Sequence, residues 1–211
     1  SWKGLVKNGF DFGVKKGLID KEQRTRWAQQ LEANDLMEVL GAAEFMGRKL
    51  GAPNGEIYAR WFETVFKTIK PTNVHMQEAI RSISAAHVPI CTLNFDSLLE
   101  HVTGLATINY CDTYDVAAWF RRENSGILHL HGSWKTPKSC ILGIRDYQTT
   151  IGNEVRDLVQ RSLSTLNTLL FVGCGDTFAD PNFSNLIKWL RAELGTASPQ
   201  HYALVTEDEV S

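Results

Sequence analysis

Along the first third of the chain, apolar and polar residues recur at helical spacing. Lys21–Ala33, Leu36–Leu50 and Glu56–Ile69 read as helices, separated by Asp, Gly and Pro-Asn signals. After Pro71, Thr72-Asn73 can cap another helix, whose apolar positions Val74, Met76, Ile80 and Ile83 lie mostly on one side. No strand candidate stands out in this stretch. Residues 1–86 are therefore expected to form a helical subdomain.

At Val88 the texture changes. Val88–Leu93 is a short apolar run that reads as a buried strand, followed by a short helix over Asp96–Thr103. Ala106–Tyr110 and Gly126–His131 read as further strands, with a helix over Val116–Arg122 between them. Val155, Leu158, Val159, Leu163 and Leu166 line one face of a helix leading into a strand at Thr168–Val172. Asp180-Pro181 then starts a helix with the stripe Phe183, Leu186, Ile187, Leu190 and Leu194, and Gly195 stops it. His201–Val205 supplies a fifth strand. Short apolar strands alternating with amphipathic helices predict an α/β fold over residues 87–211, Rossmann-like, with a mostly parallel sheet and helices on both faces.

Composition narrows the function classes. The 211 residues are 43% hydrophobic with only 6 Pro and 16 Gly, which excludes disordered and collagenous chains. Against 22 Lys and Arg stand 24 Asp and Glu, for a net charge of −2. Bulk charge therefore gives no drive toward nucleic acid or an anionic membrane, and neither partner is expected. No apolar run approaches the roughly 18 residues of a membrane span, and the four cysteines read as reduced and mostly buried, so a cytoplasmic location is expected. Cys91, Cys111, Cys140 and Cys174 lack the paired spacing of a structural zinc site, and no metal is expected. His129 and His131 would point the same way from a strand, but no nearby carboxylate or thiol completes a ligand set. The six tryptophans show no stacking platform for bases and read as packing residues.

In open α/β sheets ligands bind beyond the carboxyl ends of strands. Three predicted strand ends carry polar or glycine residues: Thr92–Asp96, followed by Ser97–Glu100; Leu128–Ser133; and Phe171–Asp176, running on to Asp180–Phe183. Each set has two readings. Asn94 or Asp96 can simply cap the next helix, His131 before Gly132 can be a satisfied turn histidine, and Gly173 and Gly175 can merely permit a tight turn. The alternative is one shared ligand site, because a doubly wound sheet would bring all three sets to one rim. His129, alternating with Leu130, reads as buried and hydrogen-bonded.

Together these sets resemble the sirtuin (silent information regulator) family, in its bacterial NAD-cleaving branch from antiviral defence systems. The T-x-N-x-D pattern matches Thr92, Asn94 and Asp96, and the apolar strand with His-Gly matches His131 and Gly132, 37 residues after Asn94. The late glycines and D-P-N-F match Gly173, Gly175 and Asp180–Phe183. Pro71-Thr72-Asn73 and Ala86-His87-Val88 also look like that branch, so the resemblance runs roughly from Trp2 to Val205. It implies NAD as substrate and a glycohydrolase releasing ADP-ribose and nicotinamide. Asn94 and His131 would be its catalytic residues; Thr92, Asp96, Gly132, Gly173, Cys174, Gly175 and Asp176 would line the dinucleotide site, with Asp176 or Thr177 bonding a ribose hydroxyl. A tyrosine matching Tyr147 is often seen in the branch, which leaves open a role in closing the pocket.

Family members normally begin with a strand and a glycine-alanine-glycine-x-serine loop. Here Ser1–Leu5 looks like the segment just after that loop, and the scattered Gly4, Gly9 and Gly13 do not replace it. The expectation is a truncated chain lacking its upstream loop, with weakened phosphate binding. The two cysteine pairs of the deacylating sirtuins are missing as well, which favours NAD cleavage. The resemblance further implies self-association through the helical subdomain and a sensor domain or an Argonaute-like partner. Two other classes remain in view: a non-catalytic NAD- or ADP-ribose-binding module, and an NAD-dependent protein deacylase.

Overall fold

The computed structural model describes residues 2–33, 35–150, 161–165, 167–173 and 199–204. The chain divides into two compact units, Ser1–Gln148 and Thr149–Ser211.

The first unit opens with five helices: α1 Trp2–Lys15, α2 Lys21–Gln30, α3 Leu36–Leu50, α4 Glu56–Phe66 and α5 Val74–Ala85. Side-chain caps set where several of them start. Asp20 accepts from Gln23 N at 2.7 Å while the Gln23 amide reaches back to Asp20 N, a reciprocal pair that satisfies two orphan donors. Asp35 caps α3 through Met37 N, and Asn73 caps α5 through Met76 N at 3.0 Å, as the Thr72-Asn73 signal predicts. The helical core gathers Phe10 of α1, Met46 of α3 and the aromatic group Tyr58, Trp61 and Phe62 of α4. The Trp61 indole finds its partner inside this core, donating to Asn8 Oδ1 at 2.9 Å. Gly9 and Gly13 belong to the buried face of α1, where a Cβ would run into the Met46 and Ile19 side chains.

Strands follow within the same unit: β1 Ile90–Thr92, β2 Ala106–Asn109 and β3 Gly126–His129, with α6 Leu98–Thr103 and α7 Thr113–Phe120 as the crossovers. All pair in parallel, in the order β1-β3-β2. The predicted strand over Val88–Leu93 is shorter than expected and only half-buried. Pro89 has no N–H to give a ladder, so pairing begins after it. The predicted strand to His131 likewise stops at His129, because the chain turns at Gly132, whose φ is +88°. Alternation therefore does not extend to His131. A 3₁₀ turn at Pro137–Ser139 and the helix α8, Ile144–Thr150, complete this region.

In the second unit, β4 Leu170–Val172 and β5 Tyr202–Leu204 pair in parallel. Of the helix expected over Val155–Leu166, residues 161–165 are helical and the rest lies outside the described residues, as does the helix expected from Asp180 to Gly195. The fold is α/β with parallel strand pairing, as predicted. Among the described residues no helix is long and apolar enough to cross a membrane.

Candidate functional site at the carboxyl ends of the strands

The register puts Thr92, His129 and Asn109 side by side, as the last residues of β1, β3 and β2. One step back, Cys91, Leu128 and Ile108 form an apolar row. The sheet thus changes from greasy to polar at its carboxyl edge, where parallel α/β sheets hold ligands.

Two loops leave this edge. After β1, the Thr92 hydroxyl accepts from Asn94 N at 3.1 Å, bending the chain so that Asn94 stands exposed. The next residue, Phe95, is 7% exposed and packs into the helical core, its ring 6.0 Å from Phe62. The Asp96 carboxylate accepts from Leu98 N at 3.0 Å, at the start of α6. Asp96 is therefore a helix-start residue in this structure, one of the two roles its position allowed.

After β3, Gly132 turns the chain toward Ser139. A Cβ at Gly132 would fall on the Ser139 carbonyl and lie 2.7 Å from Cys140 N. His131, only 7% exposed, meets the Tyr147 ring edge-on at 6.3 Å, and its carbonyl accepts from Ile141 N. The Ser139 hydroxyl accepts from the Asn109 amide at 2.7 Å and from Ser133 N, and donates to Thr136 O.

The two loops are stitched together. Leu130 N donates to Thr92 O, Trp134 N to Phe95 O, and the Trp134 indole to Ser97 Oγ at 2.8 Å. The fully buried His129 ring adds the central tie: Nδ1 lies 3.0 Å from Asn94 O and 3.3 Å from Gly132 O, and Nε2 lies 2.8 Å from Glu100 Oε1. Carbonyl oxygens only accept, so Nδ1 carries a hydrogen.

Glu100 Oε1 also accepts from the Thr107 hydroxyl at 2.6 Å. Burial works to raise the Glu100 pKa, but the hydrogen bonds from His129 and Thr107 outweigh it and hold the carboxyl below its ordinary value. A carboxyl lowered in the folded state stabilises the fold above its unfolded pKa, about 4.3, and that stabilisation is lost as pH falls through the lowered folded value. Thermal melts from pH 7 down to pH 3 should therefore show an acid-side loss of stability that is smaller in Glu100→Gln. Parallel curves for the two proteins would refute the assignment.

Of the residues predicted from sequence, the structure brings together Thr92, Asn94, Asp96, His131 and Gly132 on these adjoining loops. Gly173 follows β4 in the second unit, with φ +65°. Cys174, Gly175, Asp176 and Thr177 lie outside the described residues. His129 is buried and hydrogen-bonded, as its pattern suggested. Glu100, Asn109 and Ser139 were not singled out. Glu100 meets His129 across 29 residues and Asn109 meets Ser139 across 30, contacts that depend on how separate elements dock on the sheet. Among the described residues, no group of three His, Cys, Asp or Glu could hold a metal ion. A family model described as SIR2-like domain matches residues 88–211, more than half of the chain, and that span contains both loops.

Proposed function

This chain belongs to the SIR2-like domain family, and from that premise we propose that it hydrolyses NAD+ to ADP-ribose and nicotinamide. Membership gives a sirtuin-like, NAD-related function; the glycohydrolase reaction is our reading. The observation that carries it is the stitching of the Asn94 loop to the His131 loop at the polar edge of the sheet.

The scissile bond joins the ribose C1′ to the nicotinamide nitrogen. Cleavage returns the bonding electrons to the positive ring, so nicotinamide leaves neutral and the sugar acquires oxocarbenium character. Water adds at C1′ and loses a proton, giving ADP-ribose and a proton. With so good a leaving group, positioning and electrostatics dominate catalysis. The exposed Asn94 amide, which both donates and accepts, holds the ribose and the attacking water. His131 accepts the proton from that water or from a ribose hydroxyl, a task suited to imidazole. The Gly132 turn packs against the Ser139 backbone and so fixes the loop that carries His131, and Tyr147 shields the His131 ring from bulk water.

The resemblance to the defence-associated branch supports reading the reaction as a step in phage defence, with NAD depletion as its toxic output. Chromatography of NAD+ incubated with the full-length protein, with and without an acetylated peptide, tests the reading. Release of ADP-ribose and nicotinamide without peptide supports hydrolysis. Turnover that requires the peptide points to deacylation, and binding without turnover to a regulatory module; either outcome defeats the proposal.

A further inference from the structure

Each loop in the proposed mechanism is tied to the same buried imidazole, and that imidazole is tied in turn to one carboxylate. His129 reaches Asn94 O and Gly132 O through Nδ1, while its Nε2 meets Glu100 Oε1. Glu100 stands on α6 and also takes the Thr107 hydroxyl of β2. One side-chain pair thus spans β3, α6, β2 and both site loops. We propose that Glu100 and His129 are positioning residues, a buried pair that sets the separation of Asn94 and His131 without touching substrate. The proposal rests on the hydrolase reading for its kinetic consequence, but its structural content is independent of it.

The tie depends on which ring nitrogens of His129 carry hydrogen. With the carboxylate facing Nε2, both nitrogens donate, and the three oxygens within reach of them, Asn94 O, Gly132 O and Glu100 Oε1, each receive a hydrogen bond. Take the charge from Glu100 and that arrangement loses its counter-ion. A neutral ring has one hydrogen to share: on Nε2 it turns the Nδ1 lone pair toward two carbonyl oxygens and pushes the Asn94 and Gly132 backbones away, and on Nδ1 it requires the variant's amide to turn and donate, which gives up the oxygen that accepted from both Nε2 and Thr107. A side chain's second partner commonly fixes tautomer and ring orientation in this way. Displacement near 1 Å at a reacting centre can cost about 100-fold in rate.

The test uses the near-isosteric Glu100→Gln variant with two readouts. Nitrogen-15 histidine labelling should show hydrogen on both His129 ring nitrogens in the wild type and on one in the variant. The backbone amide signals at Asn94 and Gly132 should shift, while those of the α1–α4 core stay in place. In the full-length protein, kcat should fall about 10- to 100-fold with KM within about 3-fold, because substrate still binds but is held off its reactive geometry. Should Glu100→Gln not fold, Thr107→Val, which removes the other donor to Oε1, should shift the same signals less. Unchanged Asn94 and Gly132 signals in the folded variants would overturn the proposal, and so would a wild-type kcat in a protein that hydrolyses NAD+. If the wild type proves inactive, the hydrolase reading fails and the spectra alone decide the positioning role.

Discussion

Alanine at Asn94 should lower NAD+ turnover at least ~100-fold while leaving the protein folded, and alanine at His131 should do the same to turnover. A factor of that size is about 2.7 kcal/mol of barrier, within the range for losing acid–base help or a single positioning contact. Asn94 gives the cleaner experiment. Its side chain is exposed, and the loop around it is held by other groups: the Thr92 hydroxyl, the His129 ring at Asn94 O and the Phe95 side chain in the helical core. Substitution therefore removes chemistry and leaves packing in place. His131 is buried against Tyr147, so His131→Gln belongs beside His131→Ala to separate loss of the imidazole from loss of volume. Both His131 variants should be slow, with melting temperatures compared alongside. Turnover retained in Asn94→Ala or in either folded His131 variant would reject the roles assigned here.

The second large effect is structural. Gly132→Ala should destabilise the first unit by at least about 3 kcal/mol, because a strained φ costs about 1–3 kcal/mol and a backbone collision adds to it. At φ +88° an L side chain is strained, and the added Cβ would meet the Ser139 carbonyl and Cys140 N, which are backbone atoms on the far side of the turn. For a chain of this size the loss corresponds to a melting-point drop of about 6–12 °C. Gly17→Ala is the matched control. Its φ is +71°, yet a Cβ there meets nothing within 4 Å among the described residues. That control carries only the conformational cost. Equal shifts in the two variants would show that the close approach to Ser139 is not what makes Gly132 necessary.

Much of the architecture was legible because it rests on local chemistry. Leu36–Leu50 has the bounds its periodicity predicts, and Asn73 caps α5 because an Asn before an amphipathic run has a backbone N–H to bind. Thr92, Asn94, His131 and Gly132 were visible as a pattern of polar and glycine residues after apolar strands. Helix α1 fell within the helical stretch but had no segment of its own in the sequence reading, and the reason for its glycines at positions 9 and 13 shows only where Met46 and Ile19 take up the space beside them. The support beneath the site lay further from view. That Phe95 reaches into the helical core, or that Glu100 faces His129, depends on how separate elements dock and in what register. Asp96 shows the limit from the other side: its pattern fits both a site residue and a helix start, and here its carboxylate is engaged with Leu98 N.

The decisive measurement is a crystal structure of the full-length protein with ADP-ribose bound. The free ribose of the ligand should lie at the carboxyl ends of β1 and β3, within hydrogen-bonding reach of the Asn94 amide and facing the His131 ring. A ribose seated elsewhere on the protein, with neither side chain near it, would mean that Asn94 and His131 do not form the site.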